Sequence, residues 1–152
     1  MRSEVKIIEK ESPEFVNNMD LAQERLGGKV LSCSDDFFAS SDNLIKPGRG
    51  IFIDGKFTER GKWMDGWESR RKRTPGNDWA IIKLGAPGKI IGVDIDTNHF
   101  LGNHPPFAAI EAVNIAGEVG TEDLENNVVR WTDILSKNPL EQGNHNFYEI
   151  ES

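Results

Sequence analysis

Two pairs of aspartates have spacings that could bring an acid or a base into a site. Asp35 and Asp36 are adjacent at the end of a predicted strand, so their side chains point to opposite faces and one of them can enter a given pocket. Asp94 and Asp96 share one face of a predicted strand in GVDID, where two carboxylates can serve as acid and base. We expect one of the four to activate water or bind a metal. The alternatives are that they cap loop backbone or form a polar outer face.

The three histidines of the chain are His99, His104 and His145, and all lie in loop-like segments. The five-residue step from His99 to His104 does not match the i, i+4 spacing of a helical metal site. Exposure to solvent is the favoured interpretation. A histidine, His104 in the first place, could instead join one of the aspartates in a hydrolytic site with an activated water. The sequence contains no closed ligand motif, so it does not decide whether the site uses a divalent metal.

The segment KWMDGWESRRKR, Lys62 to Arg73, belongs to a basic island, residues 59–73, in an acidic chain. The net charge is −7 and the pI is near 5.0, which disfavours a nucleic-acid-binding protein. A helical interpretation places Trp63 and Trp67 on one face and pairs Glu68 with Lys72. Three interpretations remain open: a nucleic-acid patch, a solvated charge run beside core tryptophans, and part of a small-molecule site.

The elements that must position these residues are short strands separated by Gly, Pro and Asn turns. We expect a one- or two-turn helix in residues 20–28, a hairpin joining Ile51–Ile53 to Phe57 through Asp54-Gly55, and a short strand or helix around Val128–Leu135. Further strands are expected from Lys29 onward, before a loop rich in Ser and Asp, and at residues 78–85, 90–100, 108–116 and 144–152. This pattern predicts an all-β fold, an antiparallel β-sandwich or jelly roll with short helical turns.

Composition limits the class of protein. A chain of 152 residues fits one domain, and no apolar run approaches the roughly 18 residues of a membrane span. Cys33 is the single cysteine, so no intrachain disulfide can form, and we expect it to be a buried small apolar residue. The charged N-terminus lacks the apolar core of a signal peptide. We therefore expect a cytoplasmic protein with no membrane and no nucleic-acid partner.

Three stretches resemble the allantoicase family. They are DLAQERLGGKVLSCSDDFFASSDNLIK, the block KWMDGWESRRKRTPGNDWAIIKLGAPGKIIGVDIDTNHFLGNHPP, and the terminal NHNFYEI. The resemblance implies a galactose-binding-like jelly roll of the kind that this family carries twice per chain. The polar composition of residues 1–19 predicts an N-terminal arm. Residues 20–152 then correspond to one repeat, which we expect to lack a final strand. A homo-oligomer or a partner repeat is expected to cover the open sheet edges.

The resemblance also implies hydrolysis of allantoate to ureidoglycolate and urea. Allantoate carries a carboxylate, which an arginine can bind through two parallel hydrogen bonds, and two ureido groups. From side-chain chemistry the catalytic candidates are Asp35, Asp36, Asp94, Asp96 and His104. The candidates for substrate binding are Trp63, Asp65, Trp67, Glu68, Arg70, Arg71, Arg73 and Asn103, the last in a proline-rich loop. The alternative is a galactose-binding-like module, or a single repeat, without catalysis of its own.

Overall fold

Short strands dominate the computed structural model, which describes residues 12–126 and 128–151. In this part of the chain the strands are β1 (Lys29–Cys33), β2 (Phe57–Thr58), β3 (Gly61–Lys62), β4 (Ala80–Lys83), β5 (Gly92–Asp94), β6 (Phe107–Ala112), β7 (Thr132–Pro139) and β8 (Phe147–Glu149). One α-helix, α1 (Thr121–Glu125), and 3-10 helices at Glu14–Asn17, Glu24–Leu26 and Ser41–Ile45 accompany them. The all-β class predicted from the sequence is confirmed.

The strands pair antiparallel in four two-stranded ladders, β1–β4, β2–β3, β5–β8 and β6–β7. In the ladder that matters most for the site, Gly92 lies opposite Glu149 and Asp94 lies opposite Phe147. Pairing continues past the strand end, because Ile95 and Asn146 each donate a backbone hydrogen bond to the other's carbonyl. The strand expected in residues 90–100 is therefore confirmed for residues 92–96, although the formal strand is three residues long.

The predicted hairpin is misplaced by several residues. Asp54-Gly55 does form a turn, with Gly55 at a φ of 74°, but Ile51–Ile53 is not a strand. The ladder forms between β2 and β3 instead, and Trp63 donates a backbone hydrogen bond to Lys56 at its open end. One reason is that the N–H of Ile51 donates to a carboxylate oxygen of Asp65 at 2.8 Å, which draws this segment away from a hairpin.

The helical interpretation of Lys62–Arg73 is wrong. This segment is irregular and extended, and Glu68 forms an isolated antiparallel bridge with Ala39. The backbone N–H of Glu68 donates to Ala39, and its carbonyl accepts from Phe38 and Ala39. Backbone groups that bond to a distant segment cannot close helical i, i+4 hydrogen bonds. Trp63 and Trp67 therefore do not share a helical face.

Two other elements differ in length from their predictions. The expected helix in residues 20–28 shrinks to the 3-10 turn Glu24–Leu26, which ends at Gly27 with a φ of 97°. The C-terminal part is more regular than expected, because α1 is followed by the eight-residue strand β7. β6 and β7 together make the longest ladder among the described residues.

The core is small. The buried apolar side chains among the described residues are Val30, Ile45, Met64, Leu124, Leu135 and Leu140. Cys33 is half-buried, which is less than the full burial expected from its strand pattern. Thr97 and Asn146 are buried polar residues with 4% and 5% of their surface exposed. Such groups are tolerated because they are hydrogen-bonded, and both lie beside the site.

Residues 12–19 of the expected N-terminal arm contact the β5–β8 ladder, while residues 1–11 lie outside the described residues. The ring of Phe15 meets Phe147 edge-on, with centroids 6.1 Å apart. It also covers Gly92, where an added Cβ would come within 2.4 Å of the ring. The lack of a final strand stays a prediction.

Candidate functional site

A cluster of two carboxylates and a histidine lies at the end of the β5–β8 ladder. Asp94 is the last residue of β5, Asp96 follows it on the same face, and His145 precedes β8. His145 Nδ1 is 2.6 Å from Asp94 Oδ2 and 3.8 Å from Asp96 Oδ2. The His145 ring also stacks on Phe147, with centroids 4.9 Å apart and planes 15° from parallel. The hydrogen bond to Asp94 and the flat contact with Phe147 help to fix the imidazole.

A buried polar network holds the two chain segments of this cluster together. Asn146 accepts the N–H of Glu141 at 2.8 Å and donates through Nδ2 to the carbonyl of Ile95 at 2.9 Å. Its backbone N–H donates to Asp94 Oδ1 at 3.2 Å. The Thr97 hydroxyl accepts the N–H of Asn144 at 3.1 Å. Because the bonds of Asn146 to Ile95 and Asp94 and the bond between Thr97 and Asn144 join residues 47 to 52 apart in the chain, the network fixes a tertiary contact.

The two aspartates differ in their electrostatic surroundings. Burial raises the pKa of Asp94, and the hydrogen bond and charge of His145 oppose that rise. Burial also acts on Asp96, but the guanidinium of Arg49 and the backbone N–H of Asn98 outweigh it and lower the pKa of Asp96. Neighbouring carboxylates whose pKa values are pushed apart are typical of acid and base partners.

Arg49 makes a forked contact with Asp96. Its Nε donates to Asp96 Oδ2 at 2.8 Å and its terminal nitrogen donates to Oδ1 at 2.9 Å, the geometry of a strong bidentate pair. Oxygen and nitrogen atoms of Asp94, Asp96 and His145 lie within 4.8 Å of one another, close enough to share a cation. Arg49 already supplies positive charge to both oxygens of Asp96, so a metal there would compete with the guanidinium.

An open groove of about 510 Å³ lies between the β2–β3 hairpin and the loop that follows Asp96. Its polar lining residues are Arg60, Lys62, Glu68 and Asn103, and its rings are Phe38, Phe52 and His99. Burial raises the pKa of Glu68. The groove therefore combines two cations, a half-buried carboxyl group and flat ring faces.

The groove lies near the carboxylate cluster, because residues 49–52 run beside residues 96–99 and Phe52 and His99 line the groove. Arg49 contacts Asp96, and Asn98 Nδ2 donates to the carbonyl of Gly50 at 2.8 Å. The rings of Phe52 and His99 are 5.7 Å apart. His99 lines the groove and follows Asp96 by three residues. The Cα atoms of the two residues are therefore at most about 11 Å apart.

The backbone of His99 is unusual. With a φ of 68° it is a non-glycine residue in the left-handed region, and no other is found in the part of the chain that the structure describes. Such conformations are uncommon and gather at functional sites. The turn at His99 directs the chain from the carboxylate cluster into the wall of the groove.

Asp35 and Arg70, predicted as a base and a substrate ligand, bind each other. Arg70 donates from its backbone N–H to Asp35 Oδ1 at 2.9 Å and from Nε to Oδ2 at 2.7 Å. Phe37 adds a backbone N–H at 3.0 Å. The two backbone N–H groups and the guanidinium lower the pKa of Asp35 to about 2. A carboxylate of such low basicity is poorly suited to accept a proton from water.

Most other predicted site residues have structural contacts. Asp36 accepts the N–H of Ser41 at 3.2 Å, as the capping alternative predicts, and Asp65 accepts that of Ile51. Trp67 Nε1 donates to the carbonyl of Asp35 at 2.8 Å, and the Trp63 ring lies 4.1 Å from the ammonium of Lys56.

Arg71 and Arg73 are exposed. Nδ1 of His104 is buried without a hydrogen-bond partner in the described part of the chain, and His104 contacts none of the four aspartates there. Glu68 and Asn103 are the predicted binding residues that line the groove.

Sequence reasoning left four residues of this region out of the candidate site: Arg49, Arg60, Lys62 and His145. The last was named among the histidines but was left out of the catalytic set, because its spacing to Asp94 has no local meaning. A usable signal was the predicted terminal strand, since a histidine just before a strand can meet the end of an antiparallel neighbour.

Comparison with known proteins gives a consistent result. The family model described as Allantoicase repeat matches residues 19–152. The protein named "Probable allantoicase 1" of Burkholderia mallei is 45% identical over 139 residues, which cover 91% of this chain and 40% of that protein. A "Probable allantoicase" of Pseudomonas fluorescens is 46% identical over 138 residues, again 91% of this chain and 40% of the relative.

Solved structures agree. One titled as the structure of allantoicase superposes with a TM-score of 0.72 at 38% identity and covers 86% of this chain and 38% of that one. The allantoicase of Saccharomyces cerevisiae gives a TM-score of 0.71 at 38% identity, over 87% and 38% of the two chains. These neighbours confirm the β-sandwich. The chain spans about 40% of the length of the curated relatives it matches, and it belongs to the allantoicase family.

Proposed function

We propose that the chain hydrolyses allantoate to ureidoglycolate and urea, with the cluster of Asp94, Asp96 and His145 as its reaction centre. The observation that carries this proposal is a hydrogen-bonded carboxylate–histidine pair beside a second carboxylate, in a chain of the allantoicase family. Asp35 and His104 have no catalytic role in this proposal. Asp35 is paired with Arg70, and His104 contacts no aspartate among the described residues.

The reaction breaks one C–N bond and forms one C–O bond. The oxygen of water attaches to the central carbon of allantoate, and the departing ureido nitrogen takes up a proton to leave as urea. The Asp94–His145 pair is suited to receive the proton of the attacking water, because the two groups are 2.6 Å apart. Such proton transfer contributes about 10² to 10⁴ in rate.

Asp96 has a supporting role in this proposal. Its lowered pKa and its fork with Arg49 keep it ionised, so it stabilises positive charge that develops on His145, 3.8 Å away. The neighbouring groove would hold the rest of the substrate.

The test is release of urea from allantoate by the purified chain, followed with a urease-coupled assay. The variants Asp94→Asn and His145→Gln should abolish most of the release while preserving the far-UV circular dichroism spectrum. The full-length Burkholderia mallei relative serves as the reference under identical conditions. Urea release by the relative but none by this chain would refute the proposal for the chain as it stands.

The second candidate function is allantoate binding without catalysis. The observation that favours it is the 40% coverage of the relatives, since a site completed by another repeat would leave a single repeat able to bind but not to react. Binding of allantoate by calorimetry, without urea release, would identify this case.

No helix in the described part of the chain is long and apolar enough to cross a membrane. A cytoplasmic location, a role in purine catabolism and assembly into a homo-oligomer or with a partner repeat stay predictions.

A further inference from the structure

The β2–β3 hairpin brings two cations to the groove. Arg60 lies in the turn and Lys62 in β3. The guanidinium carbon of Arg60 is 4.3 Å from the centre of the Phe37 ring, and the ammonium of Lys62 is 4.7 Å from that of Phe52. Cation–π contacts of this kind hold a long side chain in place and leave its N–H donors available.

Arg60 and Lys62 differ from Arg49 and Arg70 in their ionic contacts. Arg49 is forked on Asp96 and Arg70 is bound to Asp35. Among residues 12–126 and 128–151, no carboxylate lies within ion-pair distance of Arg60 or Lys62, although Glu68 lines the same groove. Two neighbouring cations without an acidic partner favour an anionic ligand.

The rest of the lining defines what that ligand carries besides its charge. Phe38 and His99 offer flat faces on which planar ureido groups can stack, and the carboxamide of Asn103 can both donate and accept hydrogen bonds. The carboxyl group of Glu68 can accept N–H donors. The groove therefore suits a small acid that bears planar, doubly hydrogen-bonding groups.

We infer that Arg60 and Lys62 bind the carboxylate of a ureido acid in this groove, in place of Arg70, Arg71 and Arg73. This inference rests on the proposed function for the identity of the natural ligand, but the binding itself can be measured without any reaction. It also predicts specificity, since a neutral amide of the same acid would lose both ionic contacts.

The experiment measures binding of N-carbamoylglycine and of its neutral amide to the wild-type chain by calorimetry. The variants Arg60→Gln and Lys62→Gln should each raise the Kd for the acid about tenfold and leave the Kd for the amide unchanged. Lys56→Gln is the matched control. It removes a cation–π contact to Trp63 on the same hairpin without touching the groove lining, so its Kd should equal that of the wild type.

Each outcome is decisive. The inference is overturned if the wild type binds the amide as tightly as the acid, if it binds neither, or if Lys56→Gln weakens binding as much as the groove variants. If the wild type releases urea from allantoate and both groove variants keep its KM, the inference fails while the proposed function stands. If acid binding depends on Arg60 and Lys62 but no urea is released, the proposed function fails and the inference stands.

Discussion

Replacing Asp35 with asparagine should lower the free energy of unfolding by about 1 kcal/mol near neutral pH. The carboxylate accepts hydrogen bonds from two backbone N–H groups and the Arg70 guanidinium. A fall of its pKa from 3.8 to about 2 corresponds to about 2.4 kcal/mol at about 1.36 kcal/mol per pH unit. The Arg70 side chain is 63% exposed, so solvent screening reduces the expected value to about 1 kcal/mol.

The pH dependence has a definite sign. Because the pKa of Asp35 is lower in the folded chain than in the unfolded one, its stabilisation is fully present above the unfolded value near 4. It is lost as the pH falls through about 2. The wild type and Asp35→Asn should therefore differ at pH 5 to 7 and converge between pH 4 and pH 2. Urea unfolding followed by tryptophan fluorescence at several pH values measures this difference.

Two variants separate the sources of this effect. Arg70→Gln removes the guanidinium but keeps both backbone donors, so it should lose part of the stabilisation and leave the pKa of Asp35 below 3.8. Arg71→Gln changes an exposed neighbour and should alter stability by less than about 0.5 kcal/mol. The reasoning is refuted if Asp35→Asn matches the wild type at pH 7, or if their difference stays constant down to pH 2.

Further predictions concern the site and its supports. Asp94→Asn should lower kcat for urea release about 100-fold, whereas Asp36→Asn, whose carboxylate caps a loop, should retain wild-type kinetics. Asn146→Ala should reduce the free energy of unfolding by about 1 to 3 kcal/mol in urea titrations, since it removes the side-chain hydrogen bonds that this buried residue makes to Glu141 and Ile95. Gly92→Ala should destabilise by about 1 to 3 kcal/mol by displacing Phe15; in a Phe15→Ala background this loss should largely vanish, and an equal loss in both backgrounds would contradict the contact.

The sequence was most informative where a segment's pattern decides its own conformation. β4, β5 and β8 lie within the strands expected from apolar and β-branched runs, β1 begins at the expected residue, and β6 begins one residue before its expected strand. The shared face of Asp94 and Asp96 also followed from the period of a strand alone. These features depend on neighbours in the chain, which any sequence displays.

The errors arose where a distant partner decides the conformation. The spacing of Trp63 and Trp67 fits a helix, but the bridge from Glu68 to Ala39 holds the segment extended. The Ile51 N–H is similarly taken by Asp65. Such hydrogen bonds outweigh local propensity, and a single sequence does not reveal them. The pairing of His145 with Asp94 across 51 residues belongs to the same class.

The arginines of the basic island show how much this changes the functional interpretation. Side-chain chemistry alone made Arg70, Arg71 and Arg73 equal candidates for a substrate carboxylate. The fold gives Arg70 an internal carboxylate, Asp35, and leaves the other two exposed. An arginine that already forms a strong pair would have to give up that pair to bind substrate, whereas a cation held by an aromatic ring has no such penalty. The ionic part of substrate binding is therefore expected at the start of the island, on the hairpin that carries Arg60 and Lys62.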